Sequence, residues 1–200
     1  ATLDSDHYKH EVISRVVRNA LDEENLAYLV RDLLPEIDSD HYRSQVVSDL
    51  LDYQKDWSAE ALDYVIQAIG QMDSDHYQAE SLKRLLRMQP LSEQHNDKLY
   101  DALGTLDSDH YKSEVMQSLI QNGGFAQSPD YFLEAAATIE SDHYRVELLR
   151  SLLDKEGLTE DQLVRVISHT TDINSDHYRS EFLLKACQSN NSEKIKEAVI

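Results

Sequence analysis

One four-residue word dominates the sequence and constrains its fold. Ser-Asp-His-Tyr occurs six times, and the serines lie 34, 35, 34, 33 and 34 residues apart. Recurrence at a fixed period of roughly 20 to 50 residues is typical of tandem arrays of one supersecondary unit. The six copies are Ser5, Asp6, His7, Tyr8; Ser39, Asp40, His41, Tyr42; Ser74, Asp75, His76, Tyr77; Ser108, Asp109, His110, Tyr111; Ser141, Asp142, His143, Tyr144; and Ser175, Asp176, His177, Tyr178.

The residues after each motif predict an α-helix, which we call the A helix of its repeat. We number each repeat from the residue before the serine, so that Ser is position 2 and Tyr is position 5. Positions 9, 10, 13 and 14 are almost always apolar, and these offsets from the tyrosine follow one face of a helix. Position 8 is Glu or Gln, and three repeats place Lys or Arg four residues later, which favours pairs within the helix. Position 1 is Asp4, Asp38, Asp73, Asp107, Glu140 and Asn174.

The second half of each repeat varies in sequence but predicts another helix, the B helix. Ser128-Pro129 places a preferred capping residue before a proline, and Thr159 to Gln162 has the spacing of a capping box. Apolar residues then follow at helical spacing, and no segment alternates with a period of two, so no strand is predicted. Ser58, Ser92 and Ser192 are further candidate caps, and Gly123, Gly124 and Gly157 fall where the A helix turns into the B helix.

A single helical hairpin cannot bury two apolar stripes, whereas stacked hairpins share one continuous core. The sequence therefore predicts an all-α fold, a right-handed α-solenoid of six ~34-residue helix-turn-helix repeats forming one repeat domain. We expect it to be a fragment of a longer array or protein, or to cover its ends by self-association. The predicted repeats are 4–37, 38–72, 73–106, 107–139, 140–173 and a truncated 174–200, with 1–3 as the remnant of a preceding repeat.

The simplest interpretation of the motif is a helix start. Either the serine or the acid before it can be the N-cap, and the serine is favoured because all six repeats have it. The acids lie favourably at the positive end of the helix dipole. The tyrosine is expected to begin the buried stripe, with its hydroxyl bonded at the repeat boundary. An Asp of one repeat is expected to pair with the His of the next.

Catalytic and metal-binding interpretations of the motif fail on geometry. Successive residues in a first helical turn fan out by about 100° each, so adjacent Asp and His cannot line up in a Ser–His–Asp relay. Equivalent histidines about 10 Å apart cannot share one zinc, and the single Cys187 provides no cysteine-based site. We therefore predict no enzyme activity, no catalytic residue, no cofactor and no metal ligand. His10, His95 and His169 lie outside the motif and are expected at the surface.

The formal net charge of −19 restricts the partners. It argues against nucleic acid, whose binding depends on Lys and Arg, and no segment is apolar enough to insert into a membrane. More than half of the charge belongs to helix starts, where it should form a solvated acidic edge interleaved with histidines. That edge is also a potential site for a basic partner, or a pH- or metal-responsive surface. The variable B helices offer candidate contacts for a protein or peptide partner: Asp63, Asp97, Asp101, Glu134 and Arg165.

The array resembles tetratricopeptide and HEAT-like solenoids in architecture, although the Trp, Leu-Gly, Tyr and Ala pattern of the former is missing. The motif, followed by x-x-Glu-apolar-Leu, is similar to the Ser-Asp-x-Tyr helical repeats that accompany bacterial membrane metallopeptidases of the beta-lactam-sensor type. That resemblance implies a bacterial, extracytoplasmic sensor or scaffold segment. The His-Glu-x-x-His motif is missing from the sequence, so no catalytic residue carries over. The resulting prediction is a non-catalytic scaffold for protein interactions. The alternatives are a self-assembling structural module, or a pH- or metal-responsive sensor that uses the edge of aspartates and histidines.

Overall fold

The predicted helical class is confirmed. A computed structural model describes residues 3–19, 21–89, 91–155, 158–190 and 192–200, and these residues form helices with no strand among them. The chain packs as two compact units, Ala1–Tyr111 and Lys112–Ile200. Helix α7, Asp109–Gln121, contains residues of both units.

The first unit alternates A and B helices. Among the A helices α1 packs on α3 and α3 on α5, and among the B helices α4 packs on α6. The first B helix changes to π geometry and then to a 3₁₀ turn that contains Pro35, which lacks the N–H that a continuing α-helix requires. The helices are α1 Asp6–Val17, α2 Glu23–Tyr28 with π Leu29–Leu33 and 3₁₀ Leu34–Glu36, α3 Asp40–Tyr53, α4 Ala59–Gly70, α5 Asp75–Met88, 3₁₀ Glu93–His95, α6 Asn96–Gly104 and α7 Asp109–Gln121.

The second unit shows the same alternation. Its A helix α10 packs on the A helix α12, and its B helix α11 packs on α13. Inside it, Phe125 and Phe132 form an edge-to-face pair with ring centroids 5.4 Å apart, a favourable aromatic geometry. The helices are α8 Gly124–Gln127, α9 Pro129–Ala137, α10 Asp142–Leu153, α11 Glu160–Ser168, α12 Asp176–Ser189 and α13 Glu193–Val199.

Every A helix begins at the aspartate of its motif, and the serine before it is the N-cap wherever the cap is described. The choice of serine over the preceding acid is confirmed. The serine hydroxyl has a smaller role than expected. Ser175 accepts a bond from the N–H of Tyr178 in α12, but the hydroxyls of Ser39 and Ser74 accept no capping bond.

The predicted B-helix signals mostly stand where expected. The Thr159 to Gln162 capping box has both of its hydrogen bonds, at 2.9 and 3.2 Å. Gly123 adopts the left-handed conformation, with φ of 83°, between α7 and α8. Ser92 precedes a 3₁₀ turn instead of an α-helix. Ser58 and Ser192 accept capping bonds, and Ser128-Pro129 begins α9, whereas Gly157 and residues 1 and 2 lie outside the described residues.

The apolar stripes form the core. In α3, positions 9, 10, 13 and 14 are at most 2% exposed, as the periodicity predicts. From the second motif onwards, the apolar residue two positions before the motif serine is also buried in this core. These residues are Ile37, Met72, Leu106, Ile139 and Ile173.

Candidate functional site

The motif aspartate links neighbouring hairpins. The Oδ2 atom of Asp6 accepts the backbone N–H of Ser39 at 2.8 Å, and Asp40 accepts that of Ser74 at 2.8 Å. In the second unit Asp142 accepts the N–H of Ser175 at the same distance. The serine N–H at a helix start has no partner within its own helix, so a carboxylate from the neighbouring hairpin satisfies it. We call this contact the carboxylate clamp.

The clamp also changes the acidity of the group that makes it. Burial raises the pKa of Asp6, but the N–H of Ser39, with the Lys9 ammonium and the N–H of Asp38, outweighs burial and leaves the pKa below its ordinary value of 3.8. The ionised form is therefore the one that the fold holds. Because the carboxylates of Asp6, Asp40 and Asp142 bind backbone amides, these aspartates do not form the expected pair with the next histidine. The expected solvated edge is confirmed for the acids at position 1, which are exposed, whereas these three aspartates are partly buried.

The motif histidine contacts the next tyrosine. The ring centroids of His7 and Tyr42 are 5.6 Å apart, and His143 and Tyr178 are 5.7 Å apart. Each of these histidines also lies against the tyrosine of its own motif, at 5.2 Å in both cases. Each unit thus has a run of alternating imidazole and phenol rings along the edge formed by the motifs. Separations of this kind are typical of favourable aromatic pairs.

The tyrosines are not core residues, contrary to expectation. Tyr8 is 57% exposed, and the other motif tyrosines are partly exposed. They stand at the first turn of each A helix, where the ring packs against imidazole at the edge of the hairpin stack.

The inward position belongs to the residue after the tyrosine, which sequence reasoning missed. Arg43 is only 7% exposed and donates to the carbonyls of Ile37 and Gln71, at the ends of two consecutive B-helix segments. Arg145 donates likewise to the carbonyl of Ile139. These side chains satisfy carbonyls that a helix end leaves free. A signal was present, because position 6 is basic in five repeats and Gln in the other: Lys9, Arg43, Gln78, Lys112, Arg145 and Arg179.

Ion pairs between hairpins replace the predicted pairs within helices. Arg84 contacts Asp52 of the preceding A helix at 2.5 Å, and in the second unit Lys185 contacts Asp154 at 2.5 Å. In each pair a cation at position 12 reaches an acid at position 15 of the previous repeat. The pair expected within the helix between Glu80 and Arg84 is thus replaced by a contact between repeats, because the preceding A helix brings Asp52 within reach.

The partner candidates in the first unit separate into two kinds. Asp63 bonds to the Nδ1 atom of His95 at 2.7 Å, and the His95 side chain is only 3% exposed, so this histidine is not a surface residue. The pair joins α4 to the turn before α6 and is part of the packing. Asp97 and Asp101 are exposed on α6.

In the second unit Arg165 forms an ion pair with Asp130, which links α11 to α9. Burial lowers the pKa of His169, and the charge of Arg165 adds to that, against opposing effects of Asp172 and Glu134. Glu134 is exposed nearby on α9. The five candidates therefore do not form one cluster. Asp63 is partly buried against His95, whereas Asp97, Asp101, Glu134 and Arg165 are exposed, the last in its ion pair with Asp130.

A groove at the opposite edge of the hairpins from the motifs was not predicted. It holds about 560 Å³ between the loop before α2 and the loop before α4. The Gln54 side chain fixes its floor, accepting the N–H of Leu21 at 3.0 Å and donating to the Leu21 carbonyl at 3.1 Å. Its lining combines exposed acids with two aromatic rings: Leu21, Asp22, Glu23, Tyr53, Gln54, Lys55, Asp56, Trp57 and Ser58. We call it the loop groove.

In the described part of the chain, no three His, Cys, Asp or Glu side chains are grouped to hold a metal ion. Nor is any helix there both long and apolar enough to cross a bilayer. Asp6, Asp40 and Asp142 bind amides of the next hairpin, whereas a catalytic relay would need a carboxylate that orients the histidine. No family model, curated protein or solved structure matches the chain.

Proposed function

We propose that the chain is a non-catalytic scaffold for protein interactions, built as a right-handed solenoid of six hairpins, and that it holds a basic peptide segment of its partner. The observation that carries the proposal is the use of the motif. Its Asp and His contact the next hairpin in both units, so the repeated residues serve assembly of the frame. Recognition then falls to residues that differ between repeats.

The loop groove is the surface that fits such a partner best. It is concave, its floor is held by side-chain bonds to backbone, and two aromatic rings stand beside acidic side chains. Such a surface can bind Arg and Lys, because the carboxylates pair with the positive charge and the aromatic rings pack on the cation and on the aliphatic part of the side chain. The net charge of −19 draws a basic segment towards this surface. The exposed acids Asp97 and Asp101 on α6 are the proposed extension of the contact.

The sequence supplies a reporter for the experiment, because Trp57 is the only tryptophan and lines the groove. A displayed library of random peptides is selected against the chain, and the dissociation constants of the selected peptides are measured by Trp57 fluorescence. We expect enrichment in Arg and Lys, saturable binding and weaker binding at high salt. Asp22→Asn with Asp56→Asn should raise the dissociation constant at least ~tenfold, a change of about 1.4 kcal/mol.

The matched control neutralises two exposed acids on the motif edge, Asp38→Asn with Asp73→Asn, and should leave binding unchanged. Asn caps a helix as well as Asp does, so the α2 start survives the substitution at Asp22. A third variant, Asp97→Asn with Asp101→Asn, measures how far the contact extends. Failure to select any saturable peptide, or equal losses in the groove and control variants, would contradict the proposal.

The similarity of the motif to repeats beside bacterial membrane metallopeptidases supports a place for this scaffold in a bacterial sensor system. The solenoid arrangement has its own test. Small-angle X-ray scattering on the dilute protein should give the extended profile of six stacked hairpins. A profile of a compact sphere would contradict it.

A further inference from the structure

Helix α1 has an uncovered apolar face. Val12 and Val16, at positions 9 and 13, are 53% and 46% exposed. Their equivalents in α3, Val46 and Leu50, are fully buried beneath α1. The exposed face of α1 therefore has the same residue pattern as the face of α3 on which the preceding A helix packs.

The start of α1 also differs from the starts of α3 and α5. Ser39 and Ser74 are partly buried, and each gives its N–H to the aspartate of the preceding repeat. Ser5 is exposed, and within the described residues no carboxylate occupies the equivalent place. The Tyr8 ring contacts His7 of its own motif. Within the described residues it has no contact with the histidine of a preceding motif.

Helix α12, in the second unit, presents the complementary groups. Asp176 is exposed, whereas Asp142 is partly buried and clamps Ser175. The imidazole of His177 is 73% exposed. Leu184 is 64% exposed at position 11, where the other A helices have Ser, Lys, Gln or Arg.

Position 11 points to the following hairpin. In α10 this position is Arg150, whose Nη1 atom lies 3.8 Å from Glu181 on α12. In α1 it is Ser14, which is 5% exposed beside α3. Leu184 therefore stands on the side of α12 to which a following A helix would bind.

We propose that α12 of one copy docks on α1 of a second copy, repeating the contact between hairpins in a head-to-tail interface. The Asp176 carboxylate accepts the N–H of Ser5, the His177 ring packs on Tyr8, and Leu184 packs on Val12 and Val16. The occupant is a second copy because one chain carries both halves of the contact already seen within each unit. The inference depends on that contact and is independent of the basic partner proposed above.

The test is the mass of the full chain by sedimentation velocity from about 1 µM to about 500 µM, a range that covers interfaces of modest affinity. The mass should rise with concentration. Val16→Glu and Leu184→Glu, made separately, should each raise the dissociation constant at least ~tenfold and give monomers. Met88→Glu, at an apolar residue 48% exposed outside both faces, is the matched control and should associate like the parent chain.

Mixing the two variants identifies the geometry. The Val16→Glu chain keeps an intact α12 face, and the Leu184→Glu chain keeps an intact α1 face. Head-to-tail docking therefore predicts that an equimolar mixture forms a dimer and nothing larger, because the remaining faces are blocked. A parent chain that stays monomeric, a mixture that stays monomeric, or association that depends on only one of the two faces would overturn the proposal. Circular dichroism melting of each variant checks that it folds.

Discussion

Helices α1 and α3 have the same sequence pattern and opposite surroundings. Val12 and Val46 both occupy position 9, yet the first is 53% exposed and the second fully buried. Ser5 and Ser39 both cap a helix, yet only Ser39 has a clamping carboxylate among the described residues. In a repeat protein the burial of a residue thus follows from its neighbours as much as from its own repeat. Comparing covered and open positions of one type separates the two contributions.

The largest difference should come from the valine pair. Val46→Ala removes buried methyl groups and leaves a cavity, so the free energy of unfolding should fall by about 2 to 3 kcal/mol. Val12→Ala should change it by no more than about 0.5 kcal/mol in dilute solution. Both substitutions replace Val by Ala and so raise the helix propensity equally. The difference between the two variants therefore measures packing. Urea denaturation measures both values, and equal losses would show that α1 does not cover α3 as described.

The clamp provides the next contrast. Asp40→Ala leaves the Ser74 N–H without its acceptor and should lower the free energy of unfolding by about 1 to 3 kcal/mol. Asp38→Ala removes a charge near the same helix start but no clamp, so it controls for the effect of the helix dipole. It should cost less than about 0.5 kcal/mol. Chemical denaturation of the two variants measures both free energies of unfolding. Equal losses for Asp38→Ala and Asp40→Ala would show that the effect is the charge at the helix start and not the clamp.

The B helices contain a similar pair of glycines. Gly70 and Gly104 each end their helix, but a Cβ on Gly70 would lie 3.0 Å from Cβ and 3.2 Å from Cα of Ala102, while a Cβ on Gly104 would meet nothing within 4 Å. Gly70→Ala should destabilise by about 1 to 2 kcal/mol because α4 and α6 must separate. Gly104→Ala should stabilise by about 0.4 to 1 kcal/mol by restricting the unfolded chain. Thermal melts with opposite shifts are expected, and stabilisation by both substitutions would contradict the close approach.

The smallest effect should appear in the acid limb of the stability profile. The pKa of Asp6 is lowered in the folded state, so its contribution is present above the unfolded pKa and is lost as pH falls through the folded value. Asp6→Asn should therefore reduce the loss of stability below the ordinary aspartate pKa of 3.8. Urea midpoints measured across acidic pH test this, and unchanged acid sensitivity of the Asp6 variant would count against a clamp at that position.

The period of the motif was sufficient to predict helical hairpins, helix starts and buried stripes, because those properties depend on local spacing and capping. The clamp between Asp40 and Ser74 could not be predicted from the sequence, because it joins residues 34 positions apart and depends on how two hairpins align. The same reason explains the error over Tyr42, whose half-buried ring contacts His7 of another repeat. The recurrence of a basic residue at position 6 could be read from the sequence. Its carbonyl partners could not, because they depend on where the ends of the B helices lie relative to the A helix. No sequence pattern indicated the loop groove, because it forms where the Gln54 side chain bonds to the backbone of Leu21 in a loop of another repeat.

The clamp is tested most directly by amide hydrogen exchange at Ser74, followed by nuclear magnetic resonance in dilute protein. We expect slow exchange for Ser39, Ser74 and Ser108, the last of which donates its N–H to Asp75 at 2.6 Å, and fast exchange for Ser5. Exchange at Ser74 should accelerate by at least ~tenfold in Asp40→Ala but not in Asp38→Ala. Exchange at Ser74 as fast as at Ser5 in the parent chain, or unchanged by Asp40→Ala, would contradict it.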